Sequence, residues 1–335
     1  MPVHQVLSLK VRPMYLVVTF YVLGWGSGTT NFPYIITPLD GITKRASKSS
    51  SQVVSSLNDY DLNTAGSLAR SSDVVIVFVS ANSGEEYLTV NGNRGDRNDL
   101  NLWNNGDNLI NAATQNSKKV IVVIHGPGAV NMPWIDNPAV VGVIHALYPG
   151  QEAGNSIADV LFGDVNPSGR LPFTINKNPS DYCALVSFNN QQINYAEGLL
   201  VDYRWNDAKG ISPLYEFGFG LSYTTFEYSG FIAKVNRDVS VDFTVKNTGP
   251  LDGHEVVQLY LGFPATAGEP PKQLKDFDRK MIQKGQSVPF QLYLKRKEMM
   301  IWNSASQSWI MPLGEYTLFV GSSSRNIKWS FSFTS

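Results

Sequence analysis

A loop that combines carboxylates, aromatic rings and small polar residues follows the apolar run Val74–Val79. The loop opens with Ser83-Gly84-Glu85-Glu86-Tyr87 and continues through Gly95-Asp96-Arg97-Asn98 to Leu102-Trp103. Carboxylate and guanidinium groups hydrogen-bond to hydroxyls, and aromatic rings stack on the apolar faces of sugars. This composition suits a polyol ligand. The alternative is a solvated surface loop that performs no chemistry.

Three runs of β-branched residues predict the strands that would position this loop. They are Val74–Ser80, Lys119–His125 and Val140–Ala146. A helical pattern over Asn105–Asn116 supplies a crossover connection, and a second helical pattern covers Gln151–Phe162. The expected fold is therefore α/β, with a mostly parallel sheet sandwiched by helices. In such folds, sites form outside the carboxyl ends of the strands, where the loop begins.

After about residue 226 the apolar residues alternate with polar ones. This period of two is the pattern of antiparallel strands that bury one face. Several short segments repeat it: Val239–Val245, Val256–Leu261, Val288–Leu294, Glu315–Val320 and Ile327–Phe333. The second part of the chain is therefore expected to be an all-β sandwich of immunoglobulin-like type.

Composition narrows the classes of function. The chain has 335 residues, 27 basic and 28 acidic side chains, and one cysteine, Cys183. The balanced charge argues against a nucleic-acid partner, and a single cysteine excludes an intrachain disulfide. The spacing of cysteine and histidine predicts no metal site, and the sequence has no nucleotide-phosphate motif or nucleophile elbow. No cofactor is expected.

The acid-rich loop resembles the acid/base loop of glycoside hydrolase family 3, in its fungal β-glucosidase type. The similarity lies in Ser-Gly-Glu-x-Tyr, followed by Gly-Asp-Arg-Asn-x-Leu and a Trp. In that family the Glu protonates the leaving glycosidic oxygen, and the matching residue is Glu85. Tyr87 matches an aromatic residue near the aglycone, whereas Glu86 stands where the family usually has Gly. Ser27 matches a position that touches the sugar, although a serine that only serves a glycine-rich turn is an equal alternative.

Two further runs resemble the same family, namely Tyr148–Phe173 and the junction Pro213–Phe226. The resemblance implies an α/β sandwich domain over residues 24–215 and a fibronectin type III-like domain over residues 216–335. It assigns no chemistry to Glu152 in the first run. His125 and His145, at the ends of two predicted strands, are interpreted as core residues.

Residues 1–23 form an atypical N-terminal segment by this comparison. Lys10 and Arg12 precede the apolar run Met14–Leu23, which resembles the core of a signal peptide and is too short to span a bilayer. No Ala-x-Ala-like cleavage site follows, so an unusual start is favoured over a signal peptide. The resemblance implies secretion, and no membrane partner is expected.

Family members usually begin with a (β/α)₈ barrel that carries the nucleophilic carboxylate, and no segment here matches it. The resemblance therefore implies the acid/base part of a retaining β-glucosidase, which would release terminal β-D-glucose from cellobiose and other β-glucosides. Retaining hydrolysis needs two carboxyl groups about 5–5.5 Å apart across the bond. Glu85 and Glu86 cannot provide that pair by adjacency alone. The expected partners are a glucoside or oligosaccharide and a separate barrel.

Two alternatives from other classes stay open. One is a non-catalytic carbohydrate-binding or scaffold fragment of a split or truncated enzyme. The other is a cell-surface adhesion module built on the fibronectin-like domain, for which the sequence shows no binding motif.

Overall fold

The structure is a computed structural model that describes residues 14–18, 23–24, 29–85, 88–184 and 192–335, with the backbone alone for 14–18. The described chain forms two compact units. The first extends to Val165 and the second runs from Asn166 to Ser335. No helix among the described residues is both long and apolar enough to cross a membrane.

The first unit contains a five-stranded parallel sheet in the order β2-β1-β3-β6-β7. Its strands are β1 (Met14–Val18), β2 (Val53–Ser56), β3 (Val74–Ser80), β6 (Val120–His125) and β7 (Val140–His145). The three strands predicted from apolar runs are neighbours in register, with Val75 paired with Val120 and Val120 with Val140. Their expected parallel arrangement in one sheet is confirmed.

Four helices pack on the sheet. They are α1 (Pro38–Ser47), α2 (Leu62–Ser71), α3 (Gly106–Asn116) and α4 (Ala153–Leu161). Helices α1 and α4 pack together, as do α2 and α3. Every residue of β3 is buried, which requires cover on both faces of the sheet. Alternate β3 residues Val74, Ile76 and Phe78 join the core under α1 and α4.

Helices α1 and α4 touch backbone to backbone through two glycines. A Cβ placed on Gly41 would lie 2.1 Å from the carbonyl oxygen of Gly154, and one on Gly154 would lie 1.9 Å from that of Thr37. The Gly154 amide also donates to the Ile36 carbonyl at 2.8 Å. Gly154 belongs to the Tyr148–Phe173 run, so one reason for glycine there is this helix contact.

The N-terminal segment contributes to the sheet. Residues Met14–Val18 pair in parallel with Val53–Ser56 on one side and with Val74–Phe78 on the other. This part of the expected atypical segment 1–23 is therefore an interior strand. An apolar run of this length serves a buried parallel strand as well as a signal-peptide core, so sequence alone does not separate the two.

The second unit contains the expected antiparallel sandwich. Its strands are β8 (Phe226–Val235), β9 (Val239–Asn247), β10 (Gly253–Gly262), β11 (Gln273–Ile282), β12 (Ser287–Leu294), β15 (Glu315–Gly321) and β16 (Ile327–Thr334). They form a four-stranded sheet, β11-β10-β15-β16, and a three-stranded sheet, β12-β9-β8. Two short strands, β13 (Ile301–Asn303) and β14 (Ser308–Ile310), make a separate hairpin.

The inward residues of both sheets fill one core. Val241, Phe243 and Val245 of β9 alternate with partly buried polar residues, as the period of two predicts. Across the core they meet Leu259 and Leu318 of the other sheet.

The compact second unit begins before the sandwich. The segment 166–225, which includes helix α5 (Tyr203–Lys209), belongs to it. This division falls earlier than the boundary at residues 215/216 that the family resemblance implies, and earlier than the change in hydrophobic period at about residue 226. The hydrophobic period reports only the local strand pattern. The segment 166–225 is held on the sandwich by hydrogen bonds, such as the one from the Leu274 amide to the Tyr203 hydroxyl at 2.8 Å. The residue ranges of the family domains stay a prediction.

Candidate functional site: the acid loop and the carboxyl edge of the sheet

Strands β3, β6 and β7 end at Ser80, His125 and His145. Because the strands are parallel, the loops that follow these three residues leave the same edge of the sheet. The loop after β3, residues 81–105, is called the acid loop below. It carries Glu85 and the Gly-Asp-Arg-Asn motif.

The base of the acid loop is a pair of backbone segments joined through glycine. The Gly84 amide donates to the Gly95 carbonyl at 2.9 Å, and the Gly95 amide donates to the Leu88 carbonyl at 2.8 Å. Beyond this pair, β4 (Thr89–Val90) and β5 (Asn93–Arg94) form a short antiparallel hairpin. The segment that contains Glu85 therefore leaves from a hydrogen-bonded base.

Glu85 directly follows Gly84 at the base of the acid loop. Its side chain is exposed, and its carbonyl accepts a hydrogen bond from the Leu88 amide at 2.8 Å. An exposed carboxyl on a loop at the carboxyl edge of a parallel sheet can reach a ligand bound outside that edge. Tyr87 and Ser27, the two other predicted site residues, lie outside the described residues, as does Glu86.

The Gly-Asp-Arg-Asn motif fixes the far side of the loop. The Asp96 carboxylate accepts from the Ser83 hydroxyl at 3.3 Å, and Arg97 Nη1 donates to the Ala129 carbonyl at 2.7 Å. Ala129 follows β6, so Arg97 ties the acid loop to the neighbouring strand's loop. The end of the acid loop returns to the end of β3, where the amide of the buried Trp103 donates to the Ser80 carbonyl at 2.8 Å.

A second tie joins the acid loop to the segment after β7. The Tyr148 hydroxyl donates to Asn82 Oδ1 at 2.9 Å, and that oxygen also accepts from the Ser83 amide at 2.8 Å. Asn82 is fully buried. Sequence reasoning gave neither Asn82 nor Tyr148 a role. Tyr148 stands in the Tyr148–Phe173 run, but its partner is 66 residues away in the chain, so no local pattern could have paired them.

The two histidines at the strand ends are not suited to proton transfer near neutral pH. Burial, with a smaller contribution from His145, lowers the pKa of His125 to about 4. Burial also lowers the pKa of His145, whose Nε2 lies 2.9 Å from the Gly128 carbonyl oxygen. Both rings are therefore neutral in the folded protein at neutral pH.

Glu152 holds neighbouring side chains through hydrogen bonds to its carboxylate. One carboxylate oxygen accepts from the Tyr34 hydroxyl at 2.6 Å, and the other accepts from Asn155 Nδ2 at 2.6 Å. The Tyr34 hydrogen bond is the main reason that the pKa of Glu152 is lowered. Within the described ranges, no group of three or more histidine, cysteine, aspartate or glutamate residues could hold a metal ion.

Comparisons with known proteins agree on one family. Residues 16–223 match the glycosyl hydrolase family 3 C-terminal domain, and residues 255–324 match the fibronectin type III-like domain. A probable beta-glucosidase L from Aspergillus fumigatus is 44% identical over 335 aligned residues, which cover 93% of this chain and 45% of that protein. The chain thus spans about half the length of the curated relatives it matches.

Solved structures give the same result. The beta-D-glucoside glucohydrolase of Trichoderma reesei superposes with a TM-score of 0.94 at 36% identity, over 98% of this chain and 52% of that one. Beta-glucosidase 3B of Thermotoga neapolitana, solved in complex with glucose, gives a TM-score of 0.83 at 29% identity, over 99% of this chain and 51% of that one. Since the family model covers more than half of the residues, the chain belongs to glycoside hydrolase family 3 and carries its C-terminal α/β domain, followed by a fibronectin type III-like domain.

Proposed function

We propose that this chain supplies the acid/base half of a retaining β-glucosidase. Glu85 is the general acid that protonates the departing glycosidic oxygen and then the base that activates water. The observation that carries the proposal is the placement of the Glu85 carboxyl, which is exposed on a loop with a hydrogen-bonded base at the carboxyl edge of the sheet. Membership in family 3 and the names of the relatives support the reaction class.

The substrate proposed is a β-glucoside with a terminal glucose, such as cellobiose. The relative solved with bound glucose supports this choice of sugar. Tyr87 and Ser27 are proposed to contact the substrate, Tyr87 beside the leaving group and Ser27 at the sugar. The nucleophile belongs to a (β/α)₈ barrel, which fits the coverage of about half of each relative.

Protonation of the glycosidic oxygen requires an acid that still carries its proton when the substrate arrives. For a carboxyl group this requires a pKa raised by enclosure in a partly apolar site. Glu85 is exposed in this chain. We therefore propose that the barrel encloses the loop and completes the acid.

The experiment is an assay of nitrophenol release from an aryl β-glucoside. The purified chain alone is expected to show no turnover in the ordinary enzymatic range, about 1 per second or more. Joining the intact chain, which keeps the interior strand β1, to the barrel of a family 3 β-glucosidase is expected to restore turnover. Full activity of the chain alone would refute the assignment of the nucleophile to a barrel.

The alternative is a non-catalytic carbohydrate-binding or scaffold fragment, which the same partial coverage favours. It predicts that a chimaera with a competent barrel stays inactive while the chain alone still binds glucosides. The chimaera assay therefore separates the two functions.

A further inference from the structure

The hairpin formed by β13 and β14 carries two tryptophans opposite each other. Trp302 pairs with Trp309 in the antiparallel register, so both side chains project from the same face. Each is 49% exposed. Their flanking partners Ile301 and Ile310 point to the other face and are partly buried.

The two indoles form a corner. Their ring centroids are 5.8 Å apart and their planes meet at 70°. The edge of one indole therefore faces the plane of the other, and the half-exposed pair presents to solvent a joint aromatic surface on which a ligand can stack. The Lys297 ammonium lies over one face of the Trp309 ring, 5.6 Å from its centroid, so it covers part of that face and offers a hydrogen-bond donor there.

The corner is held in place before any ligand arrives. At the hairpin tip, Asn303 Oδ1 accepts from the Ser306 amide at 2.9 Å, and the Ser306 and Ser308 hydroxyls lie 2.8 Å apart. On the approach to β13, the buried Met299 lies in the sandwich core, and its carbonyl accepts from the Tyr316 hydroxyl at 3.1 Å. A preorganised pair of half-exposed indoles reduces the entropy lost on binding.

We propose that Trp302 and Trp309 form a binding corner for a β-linked glucan chain. In a β-glucopyranose ring all hydroxyls are equatorial, so both faces present C–H groups, which favour the electron-rich face of an indole. The equatorial hydroxyls point outward, toward Lys297 and the polar tip. The choice of glucan rests on the proposed function, whereas the geometry of the corner does not.

A protein occupant fits less well. Two tryptophan side chains bury about 300–500 Å² even when fully covered, and a stable protein interface needs about 600 Å² or more from each partner. The hairpin tip around the corner is polar and exposed, from Ser304 to Gln307. A sugar chain needs only the rings and a few hydrogen bonds.

The test is retardation of the intact chain in native gels that contain soluble mixed-linkage β-glucan, with gels of soluble starch as the comparison. The wild-type chain is expected to be slowed by β-glucan and not by the α-linked polymer. Trp302→Ala and Trp309→Ala should each weaken the apparent affinity about tenfold or more. Phe277→Ala is the matched control, because Phe277 is an aromatic residue of the same unit that is 64% exposed, and it should bind as the wild type does.

Several results would overturn the proposal. They are no retardation of the wild type, equal retardation by starch, unchanged binding of both tryptophan variants, or an equal loss in Phe277→Ala. Sedimentation of each variant without glucan checks for self-association, and a change of oligomeric state confined to the tryptophan variants would assign the corner to a second copy of the chain instead. Turnover of a small aryl glucoside by the chimaera does not depend on this corner, so failure here leaves the role of Glu85 untouched.

Discussion

Gly84 and Gly95 are in direct backbone contact at the base of the acid loop. The Gly84 amide donates to the Gly95 carbonyl at 2.9 Å. A Cβ on Gly84 would lie 2.6 Å from that same oxygen, closer than a carbon can approach. The glycine that precedes Glu85 is therefore required by packing, and it sets the point from which the Glu85 segment leaves the sheet edge.

Replacement of Gly84 by alanine tests this contact. Gly84→Ala must separate the two backbone segments, because the obstructing atom is a carbonyl oxygen rather than a flexible side chain. We expect a loss of about 1–3 kcal/mol in the free energy of unfolding, the range for overpacking. Hydrogen exchange at the Gly84 and Gly95 amides should accelerate.

Gly128→Ala is the control for this change. Gly128 follows β6 at the same sheet edge, and a Cβ there would meet nothing within 4 Å. It should leave both stability and exchange near the wild-type values. Equal effects of the two substitutions would show that the Gly84–Gly95 contact is not the constraint.

The strands of the first unit could be predicted from the sequence where their apolar pattern is local. Val74–Ser80 is a mostly β-branched run that is buried throughout, and its parallel neighbours have the same character. Met14–Val18 has the same kind of composition but follows Lys10 and Arg12, so a competing interpretation was available. Its place between β2 and β3 depends on pairings 39 and 60 residues away, Met14 with Val53 and with Val74.

The candidate site was predictable only in part, for the same reason. Glu85 could be assigned from sequence because its motif is contiguous, and its role stays a prediction. The contacts that fix the loop, from Tyr148 to Asn82 and from Arg97 to Ala129, join segments 66 and 32 residues apart. Such pairings are set by the three-dimensional order of the strands, which periodicity does not reveal.

A buried ion pair holds the segment 166–225 on the sandwich. Arg170 Nη2 lies 2.7 Å from Glu255 Oε2, with the two side chains 13% and 4% exposed. The Tyr228 hydroxyl donates to the other oxygen of Glu255 at 2.6 Å. Burial raises the pKa of Glu255, whereas Arg170 and Tyr228 oppose that shift.

Arg170→Met should therefore be strongly destabilising. It leaves the Glu255 carboxylate buried without its cation, which costs about 3–5 kcal/mol. The deficit should shrink at lower pH, because protonation removes the buried charge. Urea unfolding at pH 7 and pH 5 measures both effects.

Lys234→Met provides the comparison for Arg170→Met. Lys234 pairs with Asp242 at 2.7 Å, but its side chain is 59% exposed, so solvent screens the pair and little change is expected. A similar loss in both variants would contradict the distinction between the buried and the exposed pair.

His125 should make the stability of the chain depend on pH. Its pKa is about 4 in the folded protein, against 6.5 ordinarily. As the pH falls below 6.5, the unfolded chain binds a proton at this histidine and the folded chain does not. The free energy of unfolding therefore falls until about pH 4, and below that pH it no longer depends on His125. The size is about 3 kcal/mol.

His125→Gln removes this dependence. The free energy of unfolding of the wild type should fall more steeply between pH 7 and pH 4 than that of the variant, whatever the variant's stability at pH 7. Parallel curves would show that His125 binds its proton as readily in the folded protein as in the unfolded chain. The buried neighbours Phe78 and His145, which contact or face this ring, remain unchanged in the comparison.

The role of Glu85 is tested most directly in the chimaera of the intact chain with a family 3 barrel. The measurement is the turnover of two aryl β-glucosides, one with a good and one with a poor leaving group, by Glu85→Ala and by the control Glu86→Ala. Glu85→Ala should slow the poor leaving group by about 10²–10⁴-fold and the good one far less, because only the poor one needs a proton. Azide should partly restore its turnover, and Glu86→Ala should stay near the wild type. Near-normal activity of Glu85→Ala together with loss of activity in Glu86→Ala would contradict the assignment.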